Sequence, residues 1–279
     1  MASDNEKRYP VHMKSANGPP HARDYIENLA AAGQYHFDSD EARDALGVSP
    51  AAVSSALHRL AKNGLIASPA RGFYLIVPPE YRSLRCLPAE QFIPALMARE
   101  GRAYYAGLLT AAQYHGAAHQ RPQAFQVFVD RRRRDLSCGR VRVSFMLSSR
   151  LEDIPVQTFN TPRGTLRIST PEATAIDLVG YYEQAGGLDQ VVTVLSELAE
   201  HLRADELPTA ADAAPVPWAQ RLGYLLEQVG ASEKAVGLKE YVRARAEEST
   251  ALLPGAPHED SERDASWKLY VNAAVEPTL

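Results

Sequence analysis

Residues 38–78, DSDEARDALGVSPAAVSSALHRLAKNGLIASPARGFYLIVP, decide how the front of this chain folds. Asp38 and Glu41 have the spacing of a capping box, so a short helix begins there. Gly47 ends it, because glycine accepts the positive φ of a tight turn. Ser49-Pro50 restarts the chain with a cap residue and a proline at the first helical position, where the missing N–H costs nothing. Val53, Ala56, Leu57 and Leu60 recur at helical spacing and carry this second helix to about Asn63, where Gly64 stops it. Leu65–Ser68 and Phe73–Val77 then read as strands around a Pro69-Ala70-Arg71-Gly72 turn. Two helices joined by a glycine-containing turn and followed by a hairpin make a winged helix-turn-helix.

The second helix divides into two faces. Val53, Ala56, Leu57 and Leu60 face a core, and Ser54, Ser55, His58, Arg59 and Lys62 face out. From Ser49 to Val77 there are three basic side chains (Arg59, Lys62, Arg71) and no Asp or Glu. A helix lying in the major groove has this bias, since each carboxylate there would repel phosphate. Ser49, Ala51, Ala52, Ser54 and Ser55 are small and let the backbone approach base edges. Ser54, Ser55, His58 and Arg59 are the candidates for reading bases. Lys62 contacts phosphate, and Arg71 at the wing tip enters the neighbouring minor groove. The rival reading is a winged helix used for protein interaction or dimerisation, because fold alone does not fix function.

Working outward, His21–Gly33 is the domain's first helix (Tyr25, Ile26 and Leu29 inward), and Gln34–Phe37 supplies a strand beside the wing. Residues 1–20 lack periodicity and read as a disordered tail. Pro78-Pro79 closes the domain. The expected organisation is a tail at 1–20, a winged helix-turn-helix at 21–79 and a larger domain at 80–279.

In that larger domain Pro88–Glu100 and Tyr104–Ala118 read as helices. The period then changes to two over Ala124–Asp130, Arg140–Leu147, Ile154–Thr161 and Gly164–Thr170. Helices return at Pro171–Gln184, Leu188–Arg203, Asp205–Ala211, Pro217–Gly230 and Ser232–Ser249, and Trp267–Val271 reads as a last strand. Helices, about four central strands, then flanking helices indicate an α+β class rather than alternating units.

The net charge of −4 conceals segregation: residues 1–80 carry −1, residues 81–170 carry +8 and residues 171–279 carry −11. The middle segment can therefore present a positive face to an anion. Its centre is Arg131-Arg132-Arg133-Arg134, with Arg140 and Arg142 at alternate positions of one strand and Arg150 and Arg163 near in sequence. The two readings are a phosphate-binding surface and a solvated hairpin tip. No apolar run approaches membrane-spanning length, and the first twenty residues are polar. A cytoplasmic, nucleoid-associated protein is expected, with Cys86 and Cys138 as isolated reduced thiols.

Several chemistries lack their signatures. There is no phosphate-binding glycine loop with a lysine and no Gly-x-Ser-x-Gly elbow. No lysine occurs between Lys62 and Lys234, which argues against a nuclease that needs one beside two acids. His115 and His119 lie one turn apart without a third ligand nearby, so no metal site is expected. The carboxylates after residue 171 fall on solvent-facing helix positions and are not expected to be catalytic. No cofactor is expected, and the chain reads as a non-enzyme. The alternative is an enzyme acting on nucleic acid or nucleotide through the larger domain, targeted by the winged helix.

Three blocks carry a family resemblance. They are Arg71-Gly72-Phe73-Tyr74-Leu75-Ile76-Val77-Pro78, then Tyr104-Tyr105-Ala106-Gly107-Leu108-Leu109-Thr110-Ala111-Ala112-Gln113-Tyr114-His115-Gly116, then Ile168-Ser169-Thr170-Pro171-Glu172-Ala173-Thr174-Ala175-Ile176-Asp177-Leu178. With the strand Gln126–Val129 between the last two, the chain from about His21 onward resembles the AbiEi family, antitoxins and transcriptional regulators of bacterial type IV toxin–antitoxin systems, which take part in phage defence. The resemblance implies a repressor that binds inverted repeats in its own promoter. It also implies that residues 80–279 counteract an AbiEii-type nucleotidyltransferase toxin without a stable complex. A monomer or weak dimer, cooperative on double-stranded DNA, fits that pattern. No residue set for the antitoxin activity follows from these motifs.

Overall fold

A computed structural model describes residues 21–117 and 122–275. The chain divides into two units after Arg82. The tail at 1–20 and His119 lie outside the described residues.

In the first unit α1 (Ala22–Ala31) leads into β1 (His36–Asp38), α2 (Ser39–Leu46), α3 (Pro50–Lys62), β2 (Ile66–Ala70) and β3 (Phe73–Ile76). The capping box is complete. Asp38 accepts from the backbone of Asp40 and Glu41, and Glu41 in turn accepts from the Asp38 N–H. Gly47 ends α2 in the left-handed region at φ 62°. The Ser49 hydroxyl caps α3 by accepting from Ala52, with Pro50 as its first residue. The strands form a sheet in the order β1-β3-β2, all antiparallel, so the expected strand before α2 does pair with the wing. Helices and sheet close on Ile26, Phe37, Ala42, Leu46, Val53, Leu57, Leu60, Ile66 and Ile76. Phe37 is sandwiched, stacked on Tyr74 at 5.4 Å and edge-on to Tyr25 at 5.4 Å. This is a winged helix-turn-helix with its own core.

The second unit is built on a mixed sheet ordered β6-β7-β5-β4-β9-β8. Its strands are β4 (Tyr104–Ala106), β5 (Phe125–Val129), β6 (Leu136–Cys138), β7 (Val141–Leu147), β8 (Val156–Thr161) and β9 (Gly164–Ser169). β5 and β7 run parallel, as do β4 and β9, and the other neighbours are antiparallel. Helices α4 (Ile93–Glu100), α5 (Leu108–Tyr114), α6 (Pro171–Gly180), α7 (Leu188–Leu198), α8 (Leu207–Asp212), α9 (Val216–Gln228) and α10 (Val236–Arg245) complete the unit, with β10 (Thr250–Ala251), β11 (Glu262–Asp264) and β12 (Leu269–Val271) as a small second sheet. Among the described residues six strands replace the expected four or so. Tyr104–Ala106, read as the start of a helix, is a strand, because the buried Tyr105 ring stacks on Phe128 of the adjacent β5 at 4.8 Å. Leu136–Cys138 is too short for a period of two to register.

The helical core closes tightly around α9. A Cβ on Gly223 would lie 2.0 Å from the Trp267 ring, so only glycine admits that indole. Trp267 is fully buried, and its Nε1–H donates to Glu227 at 2.9 Å.

Candidate nucleic-acid interface

The outer face of α3 bears Ser54, Ser55, His58, Arg59 and Lys62, all exposed, while Val53, Leu57 and Leu60 are buried beneath it. Ser49 and Ala51 are exposed at its N-terminal end. Among the described residues none of Ser54, Ser55, His58, Arg59, Lys62 or Arg71 has a side-chain partner. No acid occupies the first turn of α3, so its backbone N–H groups keep their positive end uncompensated. Arg71 is exposed in the turn between β2 and β3. The register of that hairpin shifts between Ala67 and Ala70, and the Ser68 hydroxyl holds the bulge by donating to the carbonyls of Ala70 and Phe73. The acids of this unit are concentrated in α1 and α2, where Arg43 pairs with Asp40 and Asp44. The geometry is that of a free, acid-poor helix and a basic wing tip.

The arginine run in the second unit is not a uniform surface. Arg133 forks onto Glu100, with Nε–Oε2 at 3.2 Å and Nη2–Oε1 at 2.9 Å, and lies 4.3 Å over the Phe145 ring. Arg102 reaches the same carboxylate at 3.1 Å and also donates to the Arg131 carbonyl. Arg131 pairs with Asp130 and donates to the Gly101 carbonyl. Arg132 and Arg134 are exposed, with no side-chain partner among the described residues. Arg132, Arg133 and Arg134 line one recess with Phe145 and Leu147. Arg140 and Arg142 line another, with Leu84, Glu90 and Tyr114. Arg142 is turned back onto the carbonyls of Gly139 and Val141.

The two long motif blocks of the second unit meet in its interior. The Tyr105 hydroxyl donates to Asp177 at 2.9 Å. His115 Nε2 lies 2.8 Å from the Ser169 carbonyl and therefore carries the proton, leaving Nδ1 to accept from Gln157 at 3.3 Å. Burial lowers the His115 pKa from its ordinary value. Glu172 accepts the Arg203 N–H at 2.9 Å. Glu172 and Asp177 are buried, which corrects the expectation that the acids after residue 171 all face solvent. The cause is that α6 is enclosed from Glu172 to Val179, so periodicity cannot separate an inner from an outer face. Burial pushes the Asp177 carboxyl up to about 7, opposed by the Tyr105 hydrogen bond. These groups form a satisfied structural network.

Residues 24–77 match the family model described as a transcriptional regulator, AbiEi antitoxin, and residues 105–228 match the AbiEi antitoxin C-terminal domain. The chain belongs to the AbiEi family. Neither family description names an enzymatic activity. The AbiEi chain also shares its fold with the RV2827C protein from Mycobacterium tuberculosis, whose crystal structure superposes with a TM-score of 0.66 at 17% sequence identity over 91% of this chain and 92% of that one. No curated protein matches it. Among the described residues no helix of this AbiEi chain is long and apolar enough to cross a membrane, and no group of metal-ligating side chains gathers.

The sequence presents the two cysteines as isolated, yet the fold brings Cys86 and Cys138 into side-chain hydrogen-bond contact. Both are buried. Their separation of 52 positions carries no local signal.

Proposed function

We propose that this AbiEi chain represses its own promoter and acts as the antitoxin to an AbiEii-type nucleotidyltransferase toxin, without forming a stable complex with it. Residues 21–79 read the DNA and residues 80–279 carry the antitoxin activity. The observation that supports the reading most is the α3 face, where Ser54, Ser55, His58, Arg59 and Lys62 stand exposed and unpaired on a surface without acid. Arg59 reads a base edge in the major groove, most simply guanine, whose O6 and N7 suit a guanidinium. Ser54, Ser55 and His58 read base edges beside it, and Lys62 and Arg71 meet phosphate, which fixes the register. Arg132 and Arg134 add contacts that are blind to sequence.

One copy occupies each arm of an inverted repeat, and binding is cooperative because helix-turn-helix half-sites lie a helical turn apart. The test is a titration of the full chain on its own upstream DNA and on a shuffled duplex, at two salt concentrations. Preference for the upstream DNA that survives at physiological salt supports the reading. Equal binding to both duplexes makes the winged helix a protein-interaction module and removes the repressor assignment.

A further inference from the structure

A cavity in the second unit, apart from the arginine run, holds a buried cation without a counter-charge. Arg221 on α9 is 8% exposed. Its Nε–H donates to the Ala251 carbonyl at 2.9 Å, and one Nη2–H donates to the Thr250 hydroxyl at 3.1 Å. Among the described residues no carboxylate pairs with it and no further hydrogen bond is made, though the Tyr182 hydroxyl lies near enough to interact with its charge. A guanidinium carries five N–H donors, so three remain. Buried charges are normally paired, since an uncompensated one forfeits its hydration. Here the remaining donors have an outlet: Arg221 lines a cavity of about 560 Å³ with Ser249, Thr250, Ala251 and the loop Pro254–Glu259.

The cavity wall is held in place. The Asn272 side chain donates within reach of the carbonyls of Leu253 (3.0 Å), Ala256 (3.2 Å) and Pro257 (3.3 Å), and its oxygen accepts the Leu253 N–H at 2.9 Å. His258 packs against Tyr270 with ring centroids 5.0 Å apart. The Tyr182 hydroxyl faces both Glu183 and the Pro254 carbonyl. Arg263 donates to the hydroxyl of Ser249, a lining residue, at 2.8 Å. The acid among the lining residues is Glu259, which is exposed. A site with a buried fork donor and an exposed carboxylate suits a single small anion and disfavours a polyanion such as nucleic acid.

We propose that this cavity binds one oxyanion group, a carboxylate or a phosphate, of a small ligand, with Arg221 as the bidentate donor. The anion takes the N–H groups that the protein leaves unused, and the Thr250 and Ala251 contacts fix the plane of the fork. Glu259 limits the ligand to low net negative charge.

The experiment uses the full chain with isotope-labelled arginine, titrated with inorganic phosphate and separately with acetate, each against chloride at equal ionic strength. Movement of the Arg221 Nε–H resonance, saturating at about millimolar anion, is the expected result. Response to phosphate alone assigns a phosphate ligand, and response to acetate assigns a carboxylate ligand. Arg221→Gln removes binding. Because that variant also alters a buried position, Glu259→Lys serves as the fold-neutral partner and raises anion affinity severalfold. No movement of the Arg221 resonance with either anion overturns the proposal. Binding that neither substitution changes also overturns it, since the anion then sits elsewhere.

Discussion

Arg133 places its guanidinium fork on the carboxylate of Glu100, which lies 33 residues earlier in the chain, and covers the Phe145 ring with the same group. The most conspicuous basic run in the sequence therefore contains an arginine committed to structure. Arg133→Ala should lower stability by roughly 1–3 kcal/mol, less than a fully buried pair because Glu100 keeps Arg102. The double change Arg132→Ala/Arg134→Ala should leave thermal unfolding unaltered. Its effect should appear in DNA binding, as a shallower dependence of affinity on salt, by roughly one unit of slope for each phosphate left without its arginine. Unfolding curves and salt-titrated binding of the two variants separate the roles.

The α3 face predicts a different pattern. Arg59→Ala should cost about 1–3 kcal/mol on the chain's own upstream DNA and little on shuffled DNA. Lys62→Ala should weaken both duplexes alike. Competition binding with the two duplexes measures the difference. Equal losses for Arg59→Ala on both would remove it from base reading.

Asp177 makes stability depend on pH with a definite sign. Its carboxyl titrates at about 7 in the fold against 3.8 ordinarily. Between those values the folded chain binds more protons than the unfolded chain, so this group's contribution is full below about pH 4 and declines as pH rises to 7. Asp177→Asn keeps an acceptor for the Tyr105 hydroxyl and has no proton to lose. From pH 5 to pH 8, the stability measured by urea unfolding should fall less steeply for the variant than for the parent.

The paired thiols should be inert in the native chain. The mutual hydrogen bond and burial push the Cys86 thiol above its ordinary range, and the thiolate is the reactive form. Mass spectrometry after iodoacetamide treatment at pH 8 should find little modification of Cys86 and Cys138 in the folded chain and complete modification in urea. Rapid native labelling would contradict the burial.

Gly223→Ala should destabilise the second unit by about 3 kcal/mol, at the upper end for overpacking, because its methyl group meets the Trp267 ring at 2.0 Å. Tryptophan emission in a Trp218→Phe background reports on Trp267 directly, and it should shift to the red.

Much of the winged helix is legible in the sequence because its signals are local. The capping box at Asp38 and Glu41, the turn at Gly47 and the Ser49-Pro50 start each depend on neighbours within four residues. The second unit hides more. Tyr104–Ala106 is a strand only because Phe128 and Ile168 lie on either side of it. Glu172 and Asp177 are inside because α6 is covered on all sides, and their polar type points the other way. Arg221 looks like one more basic residue in an acidic third of the chain. What separates it from the rest is the lack of a counter-charge, a property of the fold that no spacing encodes. Arg132 and Arg133, adjacent in the chain, differ for the same reason.

The two units of the chain each close their own core, one around Phe37 and Leu57 and the other around the mixed sheet and Trp267. A gene organised in this way can be inherited piecewise. Recombination near the codon for Arg82 can exchange the front segment for that of a relative and leave the other core whole. A lineage can thus exchange its whole front core in one event.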